Sequence, residues 1–178
     1  HAKAMTGTFW DPLRGVDAEL FAGFSQINGN DSPWEYVEEP GEFCQRWQIT
    51  SRAYDLQRSV MDAPVMNTED HFIADKPTEI APPEHIRACL WQQSIHGQSG
   101  AAIWMWEQNF DEPSLSGSIL RRPLDTVAVG TTCHDLNRLA YEVTAIQKAK
   151  PQITILHSMS GLVWDGGEYY RCLEPLYT

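Results

Sequence analysis

Short apolar segments alternate with amphipathic ones along most of this chain, and this alternation is what most restricts its fold. The apolar segments, each ending in polar or aromatic residues, indicate strands at residues 4–10, 26–31, 64–72 and 101–106. The amphipathic segments indicate helices at residues 18–24, 41–60, 84–96 and 131–150. Strands that alternate with helices favour a parallel α/β sheet. Three or four such units precede Pro151, about half of an eight-stranded barrel.

A second unit is predicted to begin at Pro151. Residues 151–157 read as a strand after a helix-breaking proline, and residues 168–176 read as the start of a helix. We therefore expect half a barrel at residues 1–150 and the first strand and helix of a following α/β domain at residues 151–178. The chain begins at His1 without an initiator Met, which fits an excised piece of a longer protein as well as a chosen boundary.

The charge and cysteine content restrict the partners that we expect. With 24 acidic and 13 basic residues, the net charge is -11, which disfavours nucleic acid and anionic membranes but is compatible with a neutral sugar. The sequence has no apolar run of about 18 residues that would cross a membrane. The four cysteines form no CxxC pair, so neither a metal site nor a cofactor is expected. Scattered thiols fit a reducing compartment, which indicates the cytoplasm.

Acidic and aromatic residues recur where the predicted strands end. In parallel α/β folds, the carboxyl ends of the strands form the functional site. One such carboxylate could be a helix cap or a solvated loop charge, but recurrence at four strand ends favours a site, because burying an unpaired ion costs several kcal/mol. Seven Trp residues also suit a sugar, whose C–H faces pack on indole rings. The four strand ends are residues 10–11, 30–31, 69–71 and 106–107.

Three segments resemble a known family. The residues LQRS at 56–59 and APVMNTE at 63–69 resemble the nucleophile strand of clan A glycoside hydrolases, and most closely that of the family 42 β-galactosidases. The segment HGQSGAAIWMW at 96–106 is similar to that family's last barrel strand. Residues 153–170 resemble the opening of its next domain, a flavodoxin-like module used in oligomer assembly. The resemblance implies the C-terminal half of a TIM (β/α)8 barrel, followed by the start of a flavodoxin-like α/β domain.

The resemblance also implies an activity. It implies a retaining glycoside hydrolase, β-galactosidase-like, that works by double displacement with Glu69 as the nucleophile. The family's acid/base carboxylate lies in an Asn-Glu pair on an earlier strand, and this sequence contains no Asn-Glu dipeptide. We therefore expect that carboxylate outside this chain, and we expect the isolated chain to be inactive. The sequence also departs from the family in having no Trp soon after Glu69.

The sugar-binding residues are predicted from the strand pattern around Glu69. In a regular strand, Asn67 lies on the same face as Glu69, and His71 lies there too if the strand continues that far. Asp70 points to the opposite face. Trp104 and Trp106 would share one face and form a stacking floor, although core filling would also explain them. The predicted substrate-binding residues are Trp10, Trp34, Asn67, His71, Trp104, Trp106 and Glu107.

Other interpretations stay open at this point. One is a carbohydrate-binding or scaffolding protein of the same fold without catalysis. Another is a hydrolase that uses Cys133-His134 or His157-Ser158, but adjacent helical residues point in different directions and make a poor nucleophile–base pair. The partner that these readings share is an oligosaccharide or glycoside. Because an open half barrel exposes sheet edges, we also expect the chain to pair with the barrel's N-terminal half or with a copy of itself.

Overall fold

The computed structural model of the chain describes residues 2–3, 17–30, 43, 47–73, 80–106, 118–165 and 167–177. Within them lies a parallel sheet of four strands in chain order. The strands are β1 (Ala2–Lys3), β2 (Asn28–Asn30), β3 (Val65–Asp70) and β4 (Gln98–Ile103). This confirms the predicted parallel α/β arrangement. The first strand was predicted at residues 4–10, which lie outside the described residues.

Helices follow the strands and form a layer beside the sheet. They are α1 (Ala18–Ala22), α2 (Trp47–Val60), α3 (Pro83–His96), α4 (Pro123–Arg138), α5 (Ala140–Gln147), α6 (Met159–Asp165) and α7 (Gly167–Leu173), with a final 3₁₀ turn at Glu174–Tyr177. Right-handed connections between neighbouring parallel strands place successive helices on one face, and α1–α2, α2–α3 and α3–α4 are in contact. No helix in the described ranges is both long and apolar enough to cross a membrane.

The apolar core lies between the sheet and this helix layer. Its largest cluster joins residues that follow β3 to residues on α3, and Ile119 and Ala128 complete it. The opposite face of β3 is exposed at Met66, and β4, the last strand of the described sheet, is exposed over residues 99–102. At β3 the sheet is therefore packed on its helix side and exposed on the other, which we call the open face, whereas β2 is buried throughout.

Helix ends follow local sequence signals closely. The predicted helix at 84–96 is confirmed as α3, which has Pro83 in its first turn, where a missing N–H costs nothing. It ends at Gly97, whose φ of 129° is a conformation that side chains rarely tolerate. A Cβ at Gly97 would also overlap the side chain of Arg58.

The helix predicted at residues 131–150 differs from the structure, because it starts earlier, at Pro123, and is broken near Leu139 into α4 and α5.

The strand predicted at residues 151–157 is absent, and that prediction is wrong. The segment has no regular secondary structure, and Ile153 and Leu156 are exposed. A strand is stabilised by pairing and burial, and this described segment pairs with no strand of the sheet. Leu162 of α6 instead packs against Ala18 and Ala53 of the helix layer. The division into residues 1–150 and 151–178 stays a prediction.

Candidate functional site

Glu69 lies near the carboxyl end of β3, next to an imidazole. Its side chain is 33% exposed, and its Oε2 lies 3.5 Å from Nε2 of His71, which is 24% exposed. The backbone N–H of Glu69 donates to Oδ1 of Asn67 at 3.1 Å. The structure therefore brings Glu69 and His71 together near the carboxyl ends of the parallel strands, where functional residues collect in such folds.

An irregularity in β3 decides which side chains share a face. Asn67 pairs with Ala101 and Asp70 with Ile103, so three steps along β3 match two along β4. Such a bulge interrupts the alternation of side chains. Asn67 is buried beside the Tyr54 hydroxyl of α2, and Asp70 also points to the helix layer, where it contacts Gln93 of α3.

The bulge corrects one prediction from regular alternation. Asn67 was predicted to share the face of Glu69 and to bind substrate, but it lies on the helix side and is fully buried. A side chain in that position does not reach the open face. Its contribution to the site is the Oδ1 that accepts from the Glu69 backbone.

Asp70, the neighbour of Glu69, is a buried carboxylate with 1% exposure. Its Oδ1 accepts from Gln93 Nε2 at 2.9 Å, and its Oδ2 accepts from Gln98 Nε2 at 3.1 Å. Burial, together with the negative charge of Asp70, raises the pKa of the Tyr54 hydroxyl well above 10. Of these two adjacent carboxylates, Glu69 is the one that solvent and a ligand can reach.

The indole of Trp104 lies beside His71 on the exposed side of the site. The Trp104 and His71 ring centroids are 5.5 Å apart with an interplanar angle of 30°. The backbone N–H of Trp104 donates to the Asp70 carbonyl at 2.9 Å, just beyond the end of β4. Trp104 is 43% exposed.

Trp106 is 65% exposed. Because β4 ends at Ile103, neither indole lies within the strand, and strand alternation does not set their directions. The site therefore joins Glu69, His71 and Trp104, and Trp106 follows Trp104 closely in the chain. Three other predicted sugar-binding residues, Trp10, Trp34 and Glu107, lie outside the described residues.

A layer of buried amides behind the site was not predicted from the sequence. Gln57 of α2 accepts from Asn30 Nδ2 at 2.6 Å and donates to the Gly29 carbonyl at 2.9 Å. Asn28 Nδ2 donates to the Gln57 carbonyl at 3.0 Å. The available signal was the pair of Asn residues at alternate positions of a short strand, where apolar residues would normally face a helix. These contacts fix β2 against α2.

The rival hydrolase pairs do not form an equivalent site. Ser158 Oγ lies 3.1 Å from Ser160 Oγ and accepts from the Gly161 backbone, as a residue before a helix does. The ring of His157 packs edge-on against Tyr169. Cys133 is exposed on α4. Among the described residues, no group of three or more His, Cys, Asp or Glu could hold a metal ion.

Comparison with known proteins supports the fold. No family model matches the chain, and no curated protein matches it. A solved structure does match: the crystal structure of apo exo-carrageenase GH42 from Bacteroides ovatus, with a TM-score of 0.64 and 23% sequence identity. The match covers 83% of this chain and 22% of that protein, so the chain spans about a fifth of its length. The chain has an α/β fold that matches part of a glycoside hydrolase family 42 structure.

Proposed function

We propose that this chain supplies the nucleophile half of a retaining glycoside hydrolase site, with Glu69 as the nucleophile. The observation that carries the proposal is a partly exposed carboxylate at a strand's carboxyl end, 3.5 Å from the imidazole of His71, which in turn lies beside the exposed indole of Trp104. The likeness in fold to a family 42 glycoside hydrolase supports it.

The proposed chemistry assigns a role to each of the three side chains. Glu69 attacks the anomeric carbon as the glycosidic C–O bond breaks, and the leaving oxygen takes a proton from a second carboxyl group. Water then attacks the anomeric carbon while the second carboxylate takes a proton from that water. The bond between the sugar and Glu69 breaks, which releases the Glu69 carboxylate. The His71 imidazole lies beside the Glu69 carboxylate and holds it in place for attack. Trp104 offers an apolar surface to the C–H face of the sugar.

The rest of the proposal follows the family resemblance. The acid/base carboxylate lies outside this chain, in the N-terminal half of the same TIM barrel, and the substrate is a β-galactoside or a related glycoside. Residues 151–178 begin a further, flavodoxin-like domain. The missing half, or a second copy of the chain, would pair with the outer strands of the described sheet, β1 and β4, and so enclose the open face. The cytoplasmic location remains part of this proposal.

The first experiment is an activity assay on a polypeptide that carries this chain with the residues upstream of it. We expect it to hydrolyse a chromogenic β-galactoside or a related glycoside, and Glu69→Gln to lower kcat by roughly 10³-fold or more, since an amide cannot act as the nucleophile. Asp62→Asn is the matched control, because Asp62 is exposed between α2 and β3. Full activity in E69Q would reject the proposal, and turnover by the 178-residue chain alone would contradict the external acid/base group.

The alternative function is sugar binding without catalysis, which the exposed indoles of Trp104 and Trp106 would also serve. It predicts that the wild-type polypeptide binds a sugar, seen as a change in tryptophan fluorescence, but hydrolyses none of a panel of glycosides. An unchanged fluorescence spectrum across the panel would count against both functions.

A further inference from the structure

We propose that Asp70 is a positioning residue that holds Glu69 and Trp104 toward the open face. The inference rests on the proposed function of Glu69, and it concerns a residue that takes no part in the reaction itself. Asp70 is 1% exposed, so it acts through its neighbours and does not touch a substrate.

The Asp70 side chain is fixed by two different elements. One carboxylate oxygen accepts from Gln93 on α3, and the other accepts from Gln98 at the start of β4. A buried carboxylate costs several kcal/mol unless hydrogen bonds compensate for its lost hydration. Two donors from separate elements provide that compensation in only one orientation of the side chain. The end of β3 is thus held against the helix layer at a defined position.

The backbone of Asp70 connects this buried anchor to the segment that bears Trp104. Its carbonyl accepts from the Trp104 backbone N–H at 2.9 Å, which fixes the start of the segment that bears the indole. On its other side, Glu69 donates its own N–H to the buried Asn67. Asn67 and Asp70, at the two ends of the bulge, are therefore both anchored on the helix side.

This anchoring determines the direction of Glu69. In a regular strand, Glu69 would share a face with Asn67 and would point to the helix layer. The bulge between Asn67 and Asp70 adds one residue to β3 and shifts the alternation of its side chains. As a result, Asp70 faces the helix layer and Glu69 faces the exposed side. Loss of the Asp70 anchor would allow the alternation to revert and would turn Glu69 and His71 away from Trp104.

The test uses the His71 ring as a reporter in NMR spectra of the 178-residue chain. Because the rings of His71 and Trp104 are 5.5 Å apart, the indole shifts the His71 proton resonances. His71→Gln identifies the His71 resonance, and Trp104→Leu defines its position without the indole. We expect Asp70→Ala to move the resonance most of the way to the Trp104→Leu position, and Asp62→Ala to leave it unchanged.

Asp70→Asn separates positioning from a general loss of structure. Asparagine keeps the shape of aspartate, and the Gln93 amide can rotate to accept from it, because Gln93 Oε1 has no hydrogen-bond partner among the described residues. We therefore expect D70N to restore the wild-type His71 resonance. If D70A lowers the thermal midpoint but folded molecules keep the wild-type resonance, Asp70 is merely structural and the inference is overturned.

A second variant decides the matter if D70A does not fold. Gln93→Met removes the donor that α3 supplies to Asp70 and replaces it with an apolar side chain of similar size. We expect it to displace the His71 resonance in the same direction as D70A, and an unchanged resonance would refute the inference. These readouts need no turnover. A fully active E69Q would reject the proposed function alone, whereas an unmoved His71 resonance would reject the positioning role alone.

Discussion

Replacing Tyr54 with Phe tests the buried polar layer that supports the site. Tyr54 is fully buried, and its hydroxyl accepts from Gln98 Nε2 at 3.1 Å. Burial and the nearby Asp70 charge raise its pKa well above 10 in the folded chain. When the pH rises above the ordinary tyrosine value, the unfolded chain releases this proton while the folded chain keeps it. The free energy of unfolding must then fall as the pH rises.

The size of this effect follows from proton linkage. One proton retained by the folded state alone lowers the free energy of unfolding by roughly 1 kcal/mol for each pH unit above about 10. In Y54F that contribution disappears, and the lost hydrogen bond costs about 1 kcal/mol at neutral pH. We therefore expect the wild type to be more stable than Y54F by about 1 kcal/mol near pH 8, with the difference falling to about zero near pH 11.

Urea unfolding followed by circular dichroism, repeated from about pH 8 to about pH 11, measures this difference. Tyr141→Phe is the matched control, because it removes the same hydroxyl from a side chain that is 90% exposed on α5. A difference between wild type and Y54F that stays constant over the whole pH range would refute the assignment of a buried, proton-retaining hydroxyl beside Asp70.

Two further substitutions test the fold and the sugar surface. Gly97→Ala should destabilise the chain by about 1–3 kcal/mol, since φ is 129° and the new methyl group would overlap Arg58. Gly130→Ala, inside α4 where a Cβ would meet no other atom within 4 Å, should stabilise the chain by up to about 1 kcal/mol. Urea unfolding measures both effects, and equal effects would contradict the account. Trp104→Ala should weaken sugar binding, measured by calorimetry, by roughly tenfold. The control Trp164→Ala removes an 89% exposed indole on α6 and should leave the affinity unchanged. A larger loss of affinity in Trp164→Ala than in Trp104→Ala would place the sugar elsewhere.

The parallel sheet and α3 could be predicted from the sequence because their signals are local. Apolar segments of strand length alternate with helical periodicity, and Gly97 marks the end of α3. The proximity of His71 to Glu69 also follows from their closeness in the chain. These features depend on neighbouring residues, and no knowledge of the tertiary contacts is needed to expect them.

The face of Asn67 could not be predicted, because the bulge that sets it depends on distant partners. Tyr54, Gln93 and Gln98 come from three different elements, and their contacts with Asn67 and Asp70 override the regular alternation. The prediction of a strand at residues 151–157 was wrong for a related reason. Its apolar composition suits a strand, but a strand also needs a neighbour to pair with, and composition carries no information about that neighbour.

The most direct test of the central claim is to trap Glu69 covalently in a polypeptide that carries this chain with its upstream residues. A 2-deoxy-2-fluoro galactoside with a dinitrophenolate leaving group suits the test, because that group departs without a proton from the acid/base carboxyl. The account predicts a single fluoroglycosyl group on the peptide that contains Glu69, and none in E69Q. An adduct on any other residue, or hydrolysis of glycosides without an adduct on Glu69, would contradict it.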